Sequence, residues 1–177
     1  MRTTSIKKLA AAAMLAALTC AATMVVQIPT PMNGYVHPGD SIVMLCGFVL
    51  GPIWGAAAAG IGSALADILA GYFHYAVATL IIKALSAFCA GIVWHMLTKN
   101  KTDRIIPALA AGFCGAVPMV LGYFLYEALL LGNGWGAAAA IPGNILQGVF
   151  GMAVGALLIE LLERVPQMHR LFEQLRK

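Results

Sequence analysis

The sequence predicts an all-α membrane protein: one bundle of six transmembrane helices occupying residues 1–177 as a single domain. Three observations predict it. Apolar residues fill 61% of the positions and charged ones only 10%, with a mean hydropathy of +0.87, a balance outside the range of soluble domains. Between Leu9 and Ile159, apart from the cluster Lys99 to Arg104, only four residues are ionised at neutral pH: Asp40, Asp67, Lys83 and Glu127. The net charge of +4 comes from basic residues gathered at three places: Arg2, Lys7 and Lys8; Lys99, Lys101 and Arg104; Arg164, Arg170, Arg176 and Lys177. Clusters at span ends orient membrane helices, so a nucleic-acid partner is not expected.

Breaks in the apolar pattern place the spans at 6–28, 40–50, 53–72, 75–97, 105–131 and 136–162. The first opens like a signal peptide, with Lys7 and Lys8 before an Ala-rich run. Its apolar run continues past Cys20 to Ile28, about 20 residues and a full crossing, so it is expected to be retained. Gly51-Pro52 interrupts what would otherwise be one long helix after Asp40. Parity decides how to read it. Basic clusters mark the cytoplasmic side, so an even number of crossings must separate the first from the second. Residues 40–72 therefore cross twice, with Gly51-Pro52 as an inner turn. Both termini are expected to be cytoplasmic, and the loops 29–39, 73–74 and 132–135 to face outside.

Small residues at four-residue spacing show where helices approach closely: Gly47, Gly51 and Gly55, then Gly151 and Gly155. Ala12 to Ala16 and Ala13 to Ala17 repeat the spacing in the first span. That face either packs inside the bundle or is offered to a partner membrane helix. The isolated Cys20, Cys46, Cys89 and Cys114 read as small core residues.

An ionisable group at membrane depth costs several kcal/mol unless it is paired or faces a cavity. Counting inward at about 1.5 Å per residue puts Glu127 about 6 Å deep, Asp67 about 8 Å, and Lys83 and Asn144 about 12 Å. Gln147 follows a turn further in, and Asp40 starts its span at the outer surface. All lie in the outer half, which predicts a polar cavity opening outward. Asp40 also suits a helix N-cap after Pro38-Gly39. Asp67 is expected to pair with and orient Lys83 across neighbouring spans. Pro142-Gly143 should loosen the last span just before Asn144 and Gln147, freeing carbonyls beside a cavity. Glu127, next to Tyr126 and near Tyr123, has the weakest structural excuse and needs a donor that a ligand could supply. Tyr35, His37, His74 and Trp135 sit at the outer edge as interface aromatics or a lid. The candidate ligand-binding set is thus Tyr35, His37, Asp40, Lys83, Tyr126, Glu127, Asn144 and Gln147, with Asp67 structural. His37, His74 and Asp40 have no ligand spacing for a metal, and no cofactor is expected. No phosphate-binding loop occurs, and Gly60-Ile61-Gly62-Ser63 lacks a histidine at its depth, so no enzymatic chemistry is expected.

Gly34-Tyr35-Val36-His37-Pro38-Gly39-Asp40 resembles the Gly-Tyr-Ile-Asn-Leu-Gly-Asp signature of riboflavin-type S components, the substrate-binding subunits of energy-coupling factor (ECF) transporters. Phe48 to Pro52, Gly60 to Asp67, Thr79 to Lys83 and Pro142 to Gly148 resemble the family's following blocks, in order. The Ala-rich first span is similar to its docking face. The resemblance implies a multi-pass subunit of a prokaryotic plasma membrane that binds a vitamin or precursor from outside. It further implies docking, through Ala12, Ala13, Ala16 and Ala17, on a transmembrane scaffold subunit that carries two ATPases. Family ligands include riboflavin, pyridoxine-like compounds and the hydroxymethylpyrimidine precursor of thiamine. His37 and Pro38 depart from the usual Asn and Leu in the loop that closes over ligand. The polar set here favours a polar, hydrogen-bonding ring over a lipid, and among the family's ligands a small heteroaromatic, pyridoxine or hydroxymethylpyrimidine, is expected ahead of riboflavin. The competing reading is a stand-alone secondary transporter coupled to protons through Asp67 or Glu127, without the inverted repeats such folds often show.

Overall fold

The computed structural model describes residues 2–30, 34–98 and 104–176. Helix α1 (Arg2–Val25) leads into a short antiparallel ribbon, β1 (Ile28–Pro29) with β2 (Tyr35–Val36), in which Ile28 faces Val36 and Pro29 faces Tyr35. Then come α2 (Asp40–Leu69), α3 (Phe73–Thr98) and α4 (Ile105–Leu125), the last extended by a π-turn over Tyr126–Leu130. A 3-10 segment (Gly134–Ala140) precedes α5 (Ile141–Glu163) and a final helix, α6 (Pro166–Arg176). Five of these stretches are long and apolar enough to cross a membrane.

One of the five, α2, is two helices. Gly51 leaves the helical region at φ 81° and ψ 177°, a backbone that suits glycine, and Pro52 starts the next arm. The arms fold back on each other: a Cβ at Gly55 would lie 2.5 Å from the carbonyl oxygen of Cys46 and 2.8 Å from the Cα of Gly47. A straight helix would separate residues 46 and 55 by about 13 Å. The turn falls at Gly51-Pro52, where the sequence placed one. Its first arm, residues 40–50, rises only about 16 Å, roughly half a bilayer core. Asp40 therefore starts well inside the bundle rather than at the surface, and it is 1% exposed.

Ion pairs and hydrogen bonds define the two ends of the bundle. At one end Lys7 donates to Gln174 at 3.3 Å, Arg104 pairs with Glu163 at 2.7 Å, and Arg104 also donates to the Thr98 carbonyl at 3.2 Å. Lys99 and Lys101 lie outside the described residues. At the other end Tyr35 donates to Asp67, and Tyr126 donates to the His74 carbonyl. The apolar core centres on the first end, where Phe48 and Trp94 rings sit 4.9 Å apart among Leu50, Ile159, Phe172 and Leu175. The polar groups centre on the other.

Three expectations change. The chain forms a further helix beyond the sixth span: α6 buries Phe172 and Leu175 against the bundle and leaves Arg170, Glu173 and Gln174 exposed. Pro142 does not loosen a helix; it stands in the first turn of α5, where its missing N–H costs nothing. The four alanines of α1 do not make one face. Ala12 is buried and Ala16 half-buried, the carbonyl of Ala16 lying 2.3 Å from where a Gly62 Cβ would sit, whereas Ala13 and Ala17 are exposed. Of the cysteines, Cys46 is in the core and the other three are half-buried.

Candidate functional site

The site is built on a buried ion pair. Lys83 of α3 is 0% exposed and its Nζ lies 2.5 Å from Oδ1 of Asp40, at the first turn of α2. Burying two charges costs more than their attraction returns unless the remaining polar atoms are also satisfied. Here they are. Nε2 of Gln147 on α5 donates to Asp40 Oδ2 at 3.0 Å, and Lys83 reaches the Met119 sulfur at 3.1 Å. The Tyr123 ring faces the ammonium at 5.3 Å from its centroid, a cation–π contact. Gln147 then spends its Oε1 on the backbone N–H of His37 at 2.8 Å. One glutamine thus ties the loop 34–39 to the ion pair beneath it.

Above this floor lies a cavity of about 30 Å³, walled by Tyr35 and His37 of the loop, Asp67 of α2, Tyr75 and Thr79 of α3, Tyr123 and Glu127 of α4 and its π-turn, and Asn144 and Gln147 of α5. Thr30, Gly34 and Ala140 complete the wall. Tyr35 donates to Asp67 Oδ1 at 2.7 Å and Tyr75 to Glu127 Oε1 at 2.9 Å. Thr79 and Tyr123 hydroxyls share a hydrogen bond of 3.0 Å. The second oxygen of each carboxylate, Asp67 Oδ2 and Glu127 Oε2, is buried with no hydrogen bond to a described residue. Such a group costs about 1–3 kcal/mol, more when charged, unless something else supplies a donor. The π-turn is what turns Glu127 inward: widening the last turn of α4 rotates residues 126–130, leaving Glu127 buried and Leu129 and Leu130 outward.

The loop fixes its histidine in the neutral form. The Gly39 N–H donates to His37 Nδ1 at 3.1 Å, so that nitrogen must carry a lone pair. Burial, together with the nearby Lys83 charge, pushes the imidazole down to about 3. Tyr35 moves the other way: burial and the adjoining Asp67 hold its hydroxyl well above the usual phenol range, so it stays a donor. The Tyr35 ring also packs at a tilt against Tyr72, with centroids 4.7 Å apart.

With this geometry in place, comparison with known proteins becomes informative. A family model described as the ECF-type riboflavin transporter, S component, matches residues 3–164. The chain belongs to this family. It is 38% identical over 143 residues to an "Uncharacterized protein in gap 3'region" of Pyrococcus woesei, covering 80% of this chain and 92% of that protein. It is 29% identical over 167 residues to the thiamine precursor transporter HmpT of Lactococcus lactis subsp. cremoris (strain MG1363), covering 90% of each. Its fold is similar to that of the S component of a bacterial ECF transporter, with a TM-score of 0.67 at 20% identity over 92% of this chain and 99% of that one. The S component for biotin from an ECF-type ABC transporter also shares the fold, with a TM-score of 0.58 at 17% identity over 90% and 94% of the two chains. Membership in a family of transport subunits displaces the reading of a stand-alone, proton-coupled transporter.

In this S component the expected polar residues separate into two layers. Tyr35, His37, Glu127, Asn144 and Gln147 line the cavity, as does Asp67, which was expected only to orient Lys83. Lys83 and Asp40 lie beneath the wall, paired with each other. Asp67 bonds Tyr35 instead of Lys83. Asp40 is not an N-cap either; Gly39 holds that position and makes no side-chain cap bond. Tyr126 stands at the rim, its hydroxyl on the His74 carbonyl. Sequence reasoning missed Tyr75, Thr79 and Tyr123 as wall residues. Their signal was available: Tyr75, Thr79 and Lys83 are four apart on one face of α3. No cluster of metal-ligating side chains occurs among the described residues.

Proposed function

We propose that this S component captures a small heteroaromatic vitamin precursor, hydroxymethylpyrimidine or pyridoxine in preference to riboflavin, in the cavity beneath the loop 34–39. The observation that carries the reading is Glu127: a carboxylate 3% exposed, with one oxygen held by Tyr75 and the other without a partner, in a wall of tyrosines. A flat ring with polar edges satisfies both features, stacking on the aromatics and donating to the open oxygen. Size points the same way. A cavity of about 30 Å³ must widen for any ligand, and a single six-membered ring asks for far less displacement than a three-ring isoalloxazine. Similarity to a thiamine precursor transporter across 90% of the chain supports the same class.

Release into the cell is expected to need partners: a transmembrane scaffold subunit and two ATPases, as befits ECF transporters. The basic end of the bundle is the cytoplasmic one in this reading, so both termini are inside and the cavity opens outward. Docking falls to the exposed small residues of α1, Ala13 and Ala17, where a partner helix can approach closely. The experiment is to purify the subunit from cells grown on rich medium and identify the released small molecule by mass spectrometry. A pyrimidine or pyridine vitamin precursor supports the reading. Stoichiometric flavin refutes the ligand assignment.

A further inference from the structure

We propose that the ligand is recognised as a cation or as a double hydrogen-bond donor, an amino-substituted, protonatable nitrogen heterocycle held between Asp67 and Glu127, and that anionic derivatives of it are rejected. The inference rests on the ligand class proposed above and narrows it by charge. Two carboxylates line the cavity, and among the described residues no lysine or arginine does. Lys83 does not balance them, because its charge is already matched by Asp40 at 2.5 Å beneath the wall. His37 is held neutral by the Gly39 N–H on its Nδ1. Each carboxylate has one oxygen occupied by a tyrosine hydroxyl, Tyr35 on Asp67 and Tyr75 on Glu127, and a second, buried oxygen, with the Thr79 hydroxyl beside Asp67 and no described hydrogen bond on Glu127 Oε2. Both side chains are more than nine-tenths buried, at 5% and 3% exposure.

These facts together set the complementary ligand. Two open acceptor oxygens, carried by different helices that line one cavity, call for two donors on one rigid ring. An exocyclic amine and a protonated ring nitrogen supply them, and charge-assisted bonds of this kind are about twice as strong as neutral ones. The tyrosine faces of Tyr75 and Tyr123 add attraction for a positive ring. A phosphate ester meets the reverse situation: a dianion beside two carboxylates, with no lysine or arginine among the described residues of the wall. A cavity of this charge passes free precursors and refuses phosphorylated ones.

The test is calorimetric titration of the purified full-length subunit in detergent with matched probes. They are 4-amino-5-hydroxymethyl-2-methylpyrimidine, its 4-oxo analogue, its phosphate monoester, pyridoxine and riboflavin. The amine should bind at least about tenfold more tightly than the 4-oxo analogue, since a lost bond to a buried acceptor is worth that much or more. The phosphate monoester should show no measurable binding. In Glu127→Gln and Asp67→Asn variants the preference for the amine should shrink, because an amide offers the open position a donor as well as an acceptor. Equal affinity for the amine and the 4-oxo analogue, or tight binding of the phosphate, overturns the charge assignment while leaving a precursor-binding subunit. Riboflavin binding with no response to either single-ring vitamin overturns the proposed ligand class, and this inference with it.

Discussion

Replacing Lys83 by methionine separates a structural role for this lysine from a ligand-binding one. The side chains are similar in length, so the packing against Met119 and Tyr123 survives while the charge disappears. Asp40 is then left 1% exposed without its cation, keeping only the Gln147 amide. Removing one partner of a buried pair typically costs about 3–5 kcal/mol, because the remaining charge stays buried. For a chain of this size that corresponds to a fall in melting temperature of about 6–20 °C. Adding Asp40→Asn removes the stranded charge and keeps an acceptor for Gln147, so the double variant should regain most of the loss. Melting followed by tryptophan fluorescence is the assay, with Trp94 buried in the core as a native reporter. Ligand affinity of the double variant should stay within about threefold of wild type, under 1 kcal/mol. The reasoning fails if Lys83→Met melts like wild type, or if the double variant is stable yet binds no ligand, which would return Lys83 to the binding surface.

Other perturbations follow from the same geometry. Tyr75→Phe strips Glu127 of its described donor and should weaken ligand binding about tenfold, read by titration, and lower the melting temperature of the ligand-free protein by the equivalent of about 1–3 kcal/mol. Gly51→Ala forces a side chain onto φ 81° at the hairpin turn and should cost about 1–3 kcal/mol, seen as a lower melting temperature with ligand affinity intact. Ala17→Trp should block uptake in cells that carry the complete transporter while leaving binding by the isolated subunit unchanged. Ala12→Trp, at a buried position, should instead lower the yield of folded protein. The depressed basicity of His37 gives a pH dependence. Folded His37 stays neutral down to about 3, whereas the unfolded chain takes up a proton near 6.5, so stability is constant above that value and falls as pH drops between the two. Melting at pH 5 should therefore be lower than at pH 7.5, by about 1–2 kcal/mol, and His37→Gln should remove that component.

Charge was the part of the sequence that spoke most clearly about architecture. Lipid tolerates so few ionised residues that their absence outlined the spans, and the spacing of the basic clusters pointed to a turn at Gly51-Pro52, where the chain does fold back. What stayed hidden was depth. Counting inward from an assumed surface put Asp40 at the water boundary, because nothing in residues 40–50 announces that the arm spans only half the bilayer. That one misplacement gave Lys83 the wrong partner and made Asp67 its orienting group. Helix α6 escaped for a different reason: its composition is polar, and an apolar-run search stops at Leu162. The spacing of Met168, Leu171, Phe172 and Leu175 is that of an amphipathic helix and would have found it. Glu127 was legible as a group without a structural partner, but not the π-turn that aims it. Tyr75 stood only as the start of a span, and the fold shows it reaching across to Glu127.

The central claim is that the cavity under the loop 34–39 holds the transported molecule through Glu127. The most direct measurement is the dissociation constant of 4-amino-5-hydroxymethyl-2-methylpyrimidine for wild-type protein and for Glu127→Ala, each checked for folding by its melting curve. A loss of about tenfold or more with an unchanged or raised melting temperature is predicted, since the substitution also removes a buried, half-satisfied carboxylate. Wild-type affinity in a folded Glu127→Ala subunit would contradict it.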